Sequence, residues 1–252
     1  MRSHSFHGLN YRLSDSGRKR KKPRNGKRKT RFLPLQLRYS NLCTGPGPNP
    51  VVSGFSVDLT REDIRTLDPK TWLNDEIINF YGQLMMDRAK RNPDQYPKIH
   101  FFNTFFYETL KKGYAGVRRW TKKFDLFSLD YVIIPVHMGM HWCCSVINFR
   151  LKRIEYYDSL YGGNALLFRL YRGYLQAESQ DKRKKPFDFD EWTDYCPKDI
   201  PGQENGHDCG VFTCMFAEYA SRGADFDFAQ RHMSYLRQRM VYEICTKKLL
   251  VQ

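Results

Sequence analysis

Cys209 stands where a thiol gains reactivity. In Asn205-Gly206-His207-Asp208-Cys209-Gly210, turn-forming residues lead into Val211–Ala220, which reads as a helix. A sulfur at that junction feels the positive end of the helix dipole. That field favours the thiolate, the form that attacks a carbonyl carbon. Gly210 leaves room for a substrate to approach the backbone. A thiol nucleophile also needs a base held in line by a third group, and an imidazole oriented by a carboxylate meets that need. His141–Phe149 and Arg153–Asp158 are rich in β-branched and aromatic residues and flank Arg150-Leu151-Lys152, so they predict an antiparallel hairpin. Folding about Leu151 sets residues whose numbers sum to about 302 opposite each other, which brings His141 near Asp158. A register shifted by one residue makes them diagonal neighbours on one face, within reach of an imidazole–carboxylate hydrogen bond.

Each residue also has a plainer reading: His141 as a strand-end histidine, Asp158 as a turn residue before Ser159. The case rests on their joint occurrence. His137 and His141 are four apart, a metal-ligand spacing on a helix, but here they flank Met138-Gly139-Met140 between apparent strands. No metal site and no organic cofactor are expected. Cys143 and Cys144 lie in a strand, Cys214 one turn into the helix after Cys209, and Cys245 on a later helix; these read as small buried hydrophobes. Seven cysteines without a C-x-x-C pair point to a reducing compartment rather than a disulfide framework.

The elements that must position these residues are legible in outline. Thr60-x-x-Asp63 has the form of a capping box opening a short helix before Pro69. Asn74 or Asp75 caps a second helix with Ile77, Ile78, Tyr81, Leu84 and Met85 on one face. Further helices are predicted over Thr104–Lys112, ended by Gly113, over Ala165–Ala177, and over Ser234–Leu250 with Leu236, Met240, Ile244 and Leu249 inward. Tyr131–Val136 reads as a short buried strand that Pro135 helps to end. Helices around a central sheet make an α+β domain.

At 252 residues, 41% hydrophobic, the chain suits one domain of ~200 residues plus a tail. Its 18 Phe and 16 Tyr exclude disorder throughout. No stretch approaches a membrane span, and MRSHSFHGLNYRLSDSG lacks the apolar core of a secretory signal. The +15 charge is unevenly placed: residues 1–40 hold 13 Lys/Arg against one acid, the rest 29 against 26. Arg18–Arg31 (RKRKKPRNGKRKTR) is therefore a solvated arm, a nuclear-import signal bound by an import receptor, or a tail that touches nucleic acid. The near-neutral body argues against a dedicated nucleic-acid-binding domain. The Gly/Pro run Asn41–Pro50 places a boundary near residue 50, so 1–50 is arm and linker and 51–252 the folded domain.

Several separated segments resemble one family in the right order. His141-Trp142, Tyr157-Asp158-Ser159, and Gln203 followed by Asp208-Cys209-Gly210 resemble the SUMO (sentrin)-specific cysteine proteases of the ubiquitin-like-protein protease family. Trp72-Leu73-Asn74-Asp75-Glu76-Ile77-Ile78-Asn79-Phe80-Tyr81 and Arg119-Trp120-Thr121-Lys122-Lys123 are similar to the sentrin-specific branch. The resemblance covers about residues 50–252. It implies a papain-like, adenain/Ulp-type domain with a central mixed sheet flanked by helices. It further implies His141 as general base, Asp158 as its orienter, Cys209 as nucleophile, and Gln203 as an oxyanion donor beside the Cys209 N–H. Trp72 and Trp142 would enclose a Gly-Gly tail in a slot too narrow for side chains. Asp75, Arg119 and His137 match positions that hold the folded body of SUMO, the plainer reading of Asp75 and Arg119 being solvated surface. The implied partners are SUMO precursors and SUMO-conjugated proteins, the implied location the nucleus. His207 is a second imidazole near Cys209 but lacks a carboxylate partner like that of His141. The rival readings are a protease for another modifier such as NEDD8, an acyltransferase with the same triad, and a non-catalytic SUMO- or nucleic-acid-binding module.

Overall fold

The computed structural model describes residues 51–251. The basic arm, and with it Arg18–Arg31, lies outside the described residues. The chain opens with a small hairpin, β1 (Val52–Gly54) and β2 (Val57–Leu59). Helix α1 (Arg61–Arg65) follows with the expected capping box: Thr60 Oγ1 accepts from the Asp63 N–H, and the Asp63 carboxylate accepts from the Thr60 N–H. Of the two cap candidates for α2 (Asp75–Arg91), it is Asn74 whose side chain accepts, from the Ile77 N–H at 3.1 Å.

Five strands form the central sheet in the order β3 (Ile99–Phe101), β4 (Tyr131–His137), β5 (Trp142–Asn148), β6 (Arg153–Tyr157) and β7 (Thr193–Tyr195). The β4–β5 and β5–β6 pairs are antiparallel and the two outer pairs parallel, so the sheet is mixed. Strand alternation assigns its two faces to two cores. Tyr131, Ile133, Cys144, Val146 and Tyr157 pack under α2, α6 (Cys209–Ser221) and α7 (Met233–Thr246). Val132, Ile134, Val136, Cys143, Ile147, Ile154 and Tyr156 pack under α3 (Phe105–Lys111) and α5 (Ala165–Arg183). Between α3 and α5 in sequence lies the short α4 (Tyr114–Val117). Helix α6 is buried almost all round, which is why it is apolar without a single stripe.

Three boundaries differ from the sequence-based expectation. Pro135 does not end β4, which runs on to His137. The ladder with β3 stops at Ile133, so further along that edge of β4 has no strand to bond and a proline is tolerated. Helix α5 runs six residues past Ala177, because polar tertiary contacts replace the apolar stripe: Glu178 accepts from the Tyr114 and Thr121 hydroxyls, and Asp181 pairs with Arg118. Helix α7 stops at Thr246, where Lys247 turns left-handed (φ 52°) and the Lys248 N–H bonds back to the Glu243 carbonyl. Leu249 is buried all the same, in the returning chain, so its helical spacing misleads.

Helices α2 and α6 are tied by a buried ion pair. Arg88 Nη1 donates to Glu218 Oε1 at 2.6 Å and Nη2 to Ser221 Oγ at 2.7 Å, with both charged side chains almost wholly out of solvent. Removing one partner strands the other charge in the core. Arg88→Met is expected to lower the unfolding free energy by about 3 kcal/mol, the low end of such losses because Arg222 still bonds Glu218. Urea titration followed by circular dichroism checks this.

Candidate active site

The site forms beyond one end of the β5–β6 pair, where α6 begins. Cys144 lies opposite Tyr157 and Ser145 opposite Tyr156, so opposed residue numbers sum to 301. That is the shifted register, and it sets Asp158 opposite Cys143 and diagonal to His141 on one face. His141 Nε2 lies 2.7 Å from Asp158 Oδ1. The carboxylate also accepts the Leu160 N–H at 2.8 Å and the Gly162 N–H at 3.0 Å. A Cβ on Gly162 would stand 2.4 Å from Asp158 Oδ2, so this close approach needs glycine.

Cys209 is the first residue of α6 and 3% exposed. Asp208 occupies the capping position but makes no side-chain cap, so the positive end of the helix is left for the sulfur. Burial alone would raise the Cys209 pKa; the hydrogen bonds from His141, Trp142 N–H and Gly210 N–H outweigh it and hold the thiol below its ordinary value. Burial likewise opposes the His141 cation, yet hydrogen bonds to Asp158, Cys143 and Cys209 push its pKa up to about 12. For Asp158 burial is outweighed by the His141 hydrogen bond and the Leu160 and Gly162 N–H groups, and its pKa falls. The three shifts agree in sign. They favour thiolate, imidazolium and carboxylate side by side, with Nε2 spent on Asp158 and Nδ1 left for the sulfur.

The remaining predicted residues fall at varied distances from this centre. Gln203 is held at both ends of its amide: Oε1 accepts the Ser159 hydroxyl at 2.6 Å, and Nε2 donates to the Asn205 carbonyl at 2.6 Å. One Nε2 hydrogen remains for another acceptor. Trp142 is buried and its indole N–H donates to the Leu73 carbonyl at 3.2 Å, which joins it to the residue after Trp72; Trp72 itself is 46% exposed. His137 faces Trp142 in the β4–β5 register, their ring centroids 4.3 Å apart. Asp75 opens α2, partly buried, and Arg119 is exposed on the turn after α4. His207 is not joined to the couple; its Nε2 lies 3.9 Å from Asp208.

Gly210 has a different reason from the expected one. A Cβ there would stand 2.7 Å from the Leu73 Cβ, so the glycine admits Leu73, the neighbour of Trp72, against the start of α6. Cys143 is not a bystander either: its sulfur lies within 4.8 Å of the His141 and Asp158 side-chain atoms and accepts from the Tyr156 hydroxyl at 3.0 Å. Among the described residues, His141, Cys143 and Asp158 bring an N, an S and an O atom within 4.8 Å of one another, a donor set a metal ion could use. Here the imidazole and carboxylate are already bonded to each other.

The family description "Ulp1 protease family, C-terminal catalytic domain" matches residues 71–249. The chain belongs to the Ulp1 protease family. A "Sentrin-specific protease" of Caenorhabditis elegans is 53% identical over 82% of this chain and 30% of its own length. "Sentrin-specific protease 2" of Mus musculus is 43% identical over 86% of this chain and 37% of its own. The chain thus spans about a third of the length of these curated relatives. Among solved structures, the C-terminal Ulp1 protease domain in complex with SMT3, the yeast ortholog of SUMO, superposes with a TM-score of 0.71 at 30% identity, covering 82% of this chain and 92% of that one. The Ulp1-like SUMO protease catalytic domain of Chaetomium thermophilum gives a TM-score of 0.74 at 23% identity, covering 85% and 89%, and shows the same fold.

Within this Ulp1-family domain, sequence reasoning missed Ser159 as the residue that orients Gln203. Its place right after Asp158 was a usable signal, since a residue there must share the Asp158 turn. Cys143 had a signal too, standing in β5 two residues after His141. The charge pattern also dictates a measurable reactivity. Alkylation of Cys209 by iodoacetamide should show a pH midpoint below the ~8.5 of a free thiol. Asp158→Asn removes the charge that sustains the imidazolium, so the midpoint should move up. An unchanged midpoint in that variant would contradict the electrostatic account.

Proposed function

We propose that this chain carries the catalytic unit of a SUMO-specific thiol protease. It would cleave after the C-terminal Gly-Gly of SUMO, at a peptide bond in the precursor or at an isopeptide bond to a target lysine. The observation that carries the reading is the 2.7 Å His141–Asp158 bond beside a Cys209 held below its ordinary pKa. A binding module has no use for a buried, polarised thiol.

In this mechanism the Cys209 thiolate attacks the carbonyl carbon of the last glycine, and its C=O electron pair moves onto oxygen. The free N–H of Gln203 and the backbone N–H of Cys209 stabilise that oxyanion. His141, as imidazolium, gives its proton to the leaving amine while the C–N bond breaks, leaving a thioester. Water then adds to the thioester, His141 takes its proton, and collapse expels the thiolate and frees the SUMO carboxylate. Asp158 keeps the ring aligned and its charge balanced throughout.

The substrate side rests on the two tryptophans and on likeness. Trp142 fixed by Leu73 and the half-exposed Trp72 suit the walls of a slot that admits only glycines. The SMT3 complex of the similar Ulp1 domain supports SUMO as the partner; from the sequence resemblance, Asp75, Arg119 and His137 would face its folded body. The deciding experiment uses a SUMO probe ending in a vinyl sulfone. The adduct should map to Cys209, should be lost in Cys209→Ser, and should weaken at least ~10-fold when the penultimate glycine of the probe is alanine. A NEDD8 probe that reacts equally well, or an adduct on another residue, would refute the assignment.

We also assign Arg18–Arg31 to recognition by a nuclear import receptor, on its 14-residue basic run. No described helix is long and apolar enough to cross a membrane. Replacing the lysines and arginines of this run by alanine should move a fluorescently tagged chain out of the nucleus without altering probe labelling; unchanged nuclear signal would remove the proposal.

A further inference from the structure

Two segments of this domain must keep a constant separation if it works as proposed: the turn that ends in Cys209 and the turn that ends in Trp72. Both are gripped by one side chain that lies far from either in sequence. Arg237, on α7 and 4% exposed, directs six hydrogen bonds at them from its five N–H donors, one Nη2 hydrogen being shared. Toward the nucleophile, Nε and Nη2 donate to Asp208 Oδ1 at 2.9 and 2.8 Å, and Nη2 to the His207 carbonyl at 3.0 Å. Toward the tryptophan, Nη2 donates to the Thr71 carbonyl at 2.8 Å, and Nη1 to the Thr66 and Asp68 carbonyls, both at 3.1 Å. Asp208 immediately precedes Cys209 and Thr71 immediately precedes Trp72. The carboxylate is fixed from its other side by Asn205 Nδ2 at 2.7 Å and Gln230 Nε2 at 2.8 Å.

We infer that Arg237 is a positioning residue that sets the Trp72 wall of the slot relative to the Cys209 sulfur. It touches neither the reacting atoms nor the thiol. The forked guanidinium is suited to this: it offers donors in several fixed directions, whereas a lysine ammonium at that point could not reach three carbonyls on one turn and a carboxylate on the other. This also accounts for an Asp208 that forgoes capping α6. A misplacement near 1 Å at a reacting centre costs on the order of 10²-fold in rate.

The inference rests on the Gly-Gly slot proposed above, and its test separates the two. Wild type, Arg237→Lys and Arg237→Gln are compared at a temperature well below each melting midpoint, on SUMO carrying a C-terminal fluorophore and on iodoacetamide, which needs no slot. Expected in both variants is a fall in kcat of at least ~10-fold, with KM and the iodoacetamide rate within ~2-fold of wild type. Wild-type kcat in either folded variant overturns the inference. So does a loss of iodoacetamide reactivity as large as the loss of kcat, since the guanidinium would then act on the thiol itself. If neither variant folds, Gln230→Ala decides: it loosens Asp208 from the half-exposed side, and unchanged kcat there overturns the inference. Failure of the wild type to turn over the SUMO substrate would instead defeat the slot reading.

Discussion

A thiolate, an imidazolium and a carboxylate can share a largely buried site only if each charge is met by hydrogen bonds and by its neighbour. Isolated charges in such a place would neutralise themselves. This condition shapes everything around Cys209. Asp158 takes two backbone N–H groups as well as His141 Nε2, and His141 with the backbone at Trp142 and Gly210 holds the Cys209 thiol below its ordinary pKa. The couple is stable because the fold supplies donors to both of its ends.

That requirement explains why the site spans three layers. His141 immediately precedes β5 and Asp158 immediately follows β6, while Cys209 opens α6, which packs on one face of the sheet. They can meet only beyond the strand ends, where no pleat separates them. The arrangement thus depends on the β5–β6 register and on how α6 lies along β5. The Arg88–Glu218 pair secures α6 near its far end, and Arg237 secures the turn at its near end. Rigid charge pairs at both ends of one helix leave little freedom for the sulfur.

A polar contact also holds the segment beside Trp72. The Trp142 indole N–H bonds the Leu73 carbonyl, and Gly210 gives up its side chain so that Leu73 can lie against α6. Trp72 is consequently tied through its neighbours to the strand that follows His141 and to the helix that carries Cys209.

How much of this was legible depends on the range of the interaction. Capping at Thr60 and Asn74, the hairpin about Leu151, and Cys209 at a helix start are written in neighbouring residues, because turn chemistry and side-chain period act over a few positions. The same local logic failed where distant contacts prevailed: Pro135 lies inside a strand because β3 stops short, α5 outruns its apolar stripe because Glu178 and Asp181 find partners near Tyr114 and Arg118, and Leu249 is buried outside any helix. By itself the sequence determined which residues stand together at the candidate site, the elements that bear them and, through separated motifs, the family. The tertiary structure alone decided the one-residue register that makes His141 and Asp158 diagonal neighbours, the closeness of the Cys143 sulfur to them, and the grip of Arg237 on two turns about 30 and 166 residues away. The reason is physical: a pleat admits several registers of nearly equal local energy, and a buried guanidinium is satisfied only by carbonyls that long-range packing brings around it.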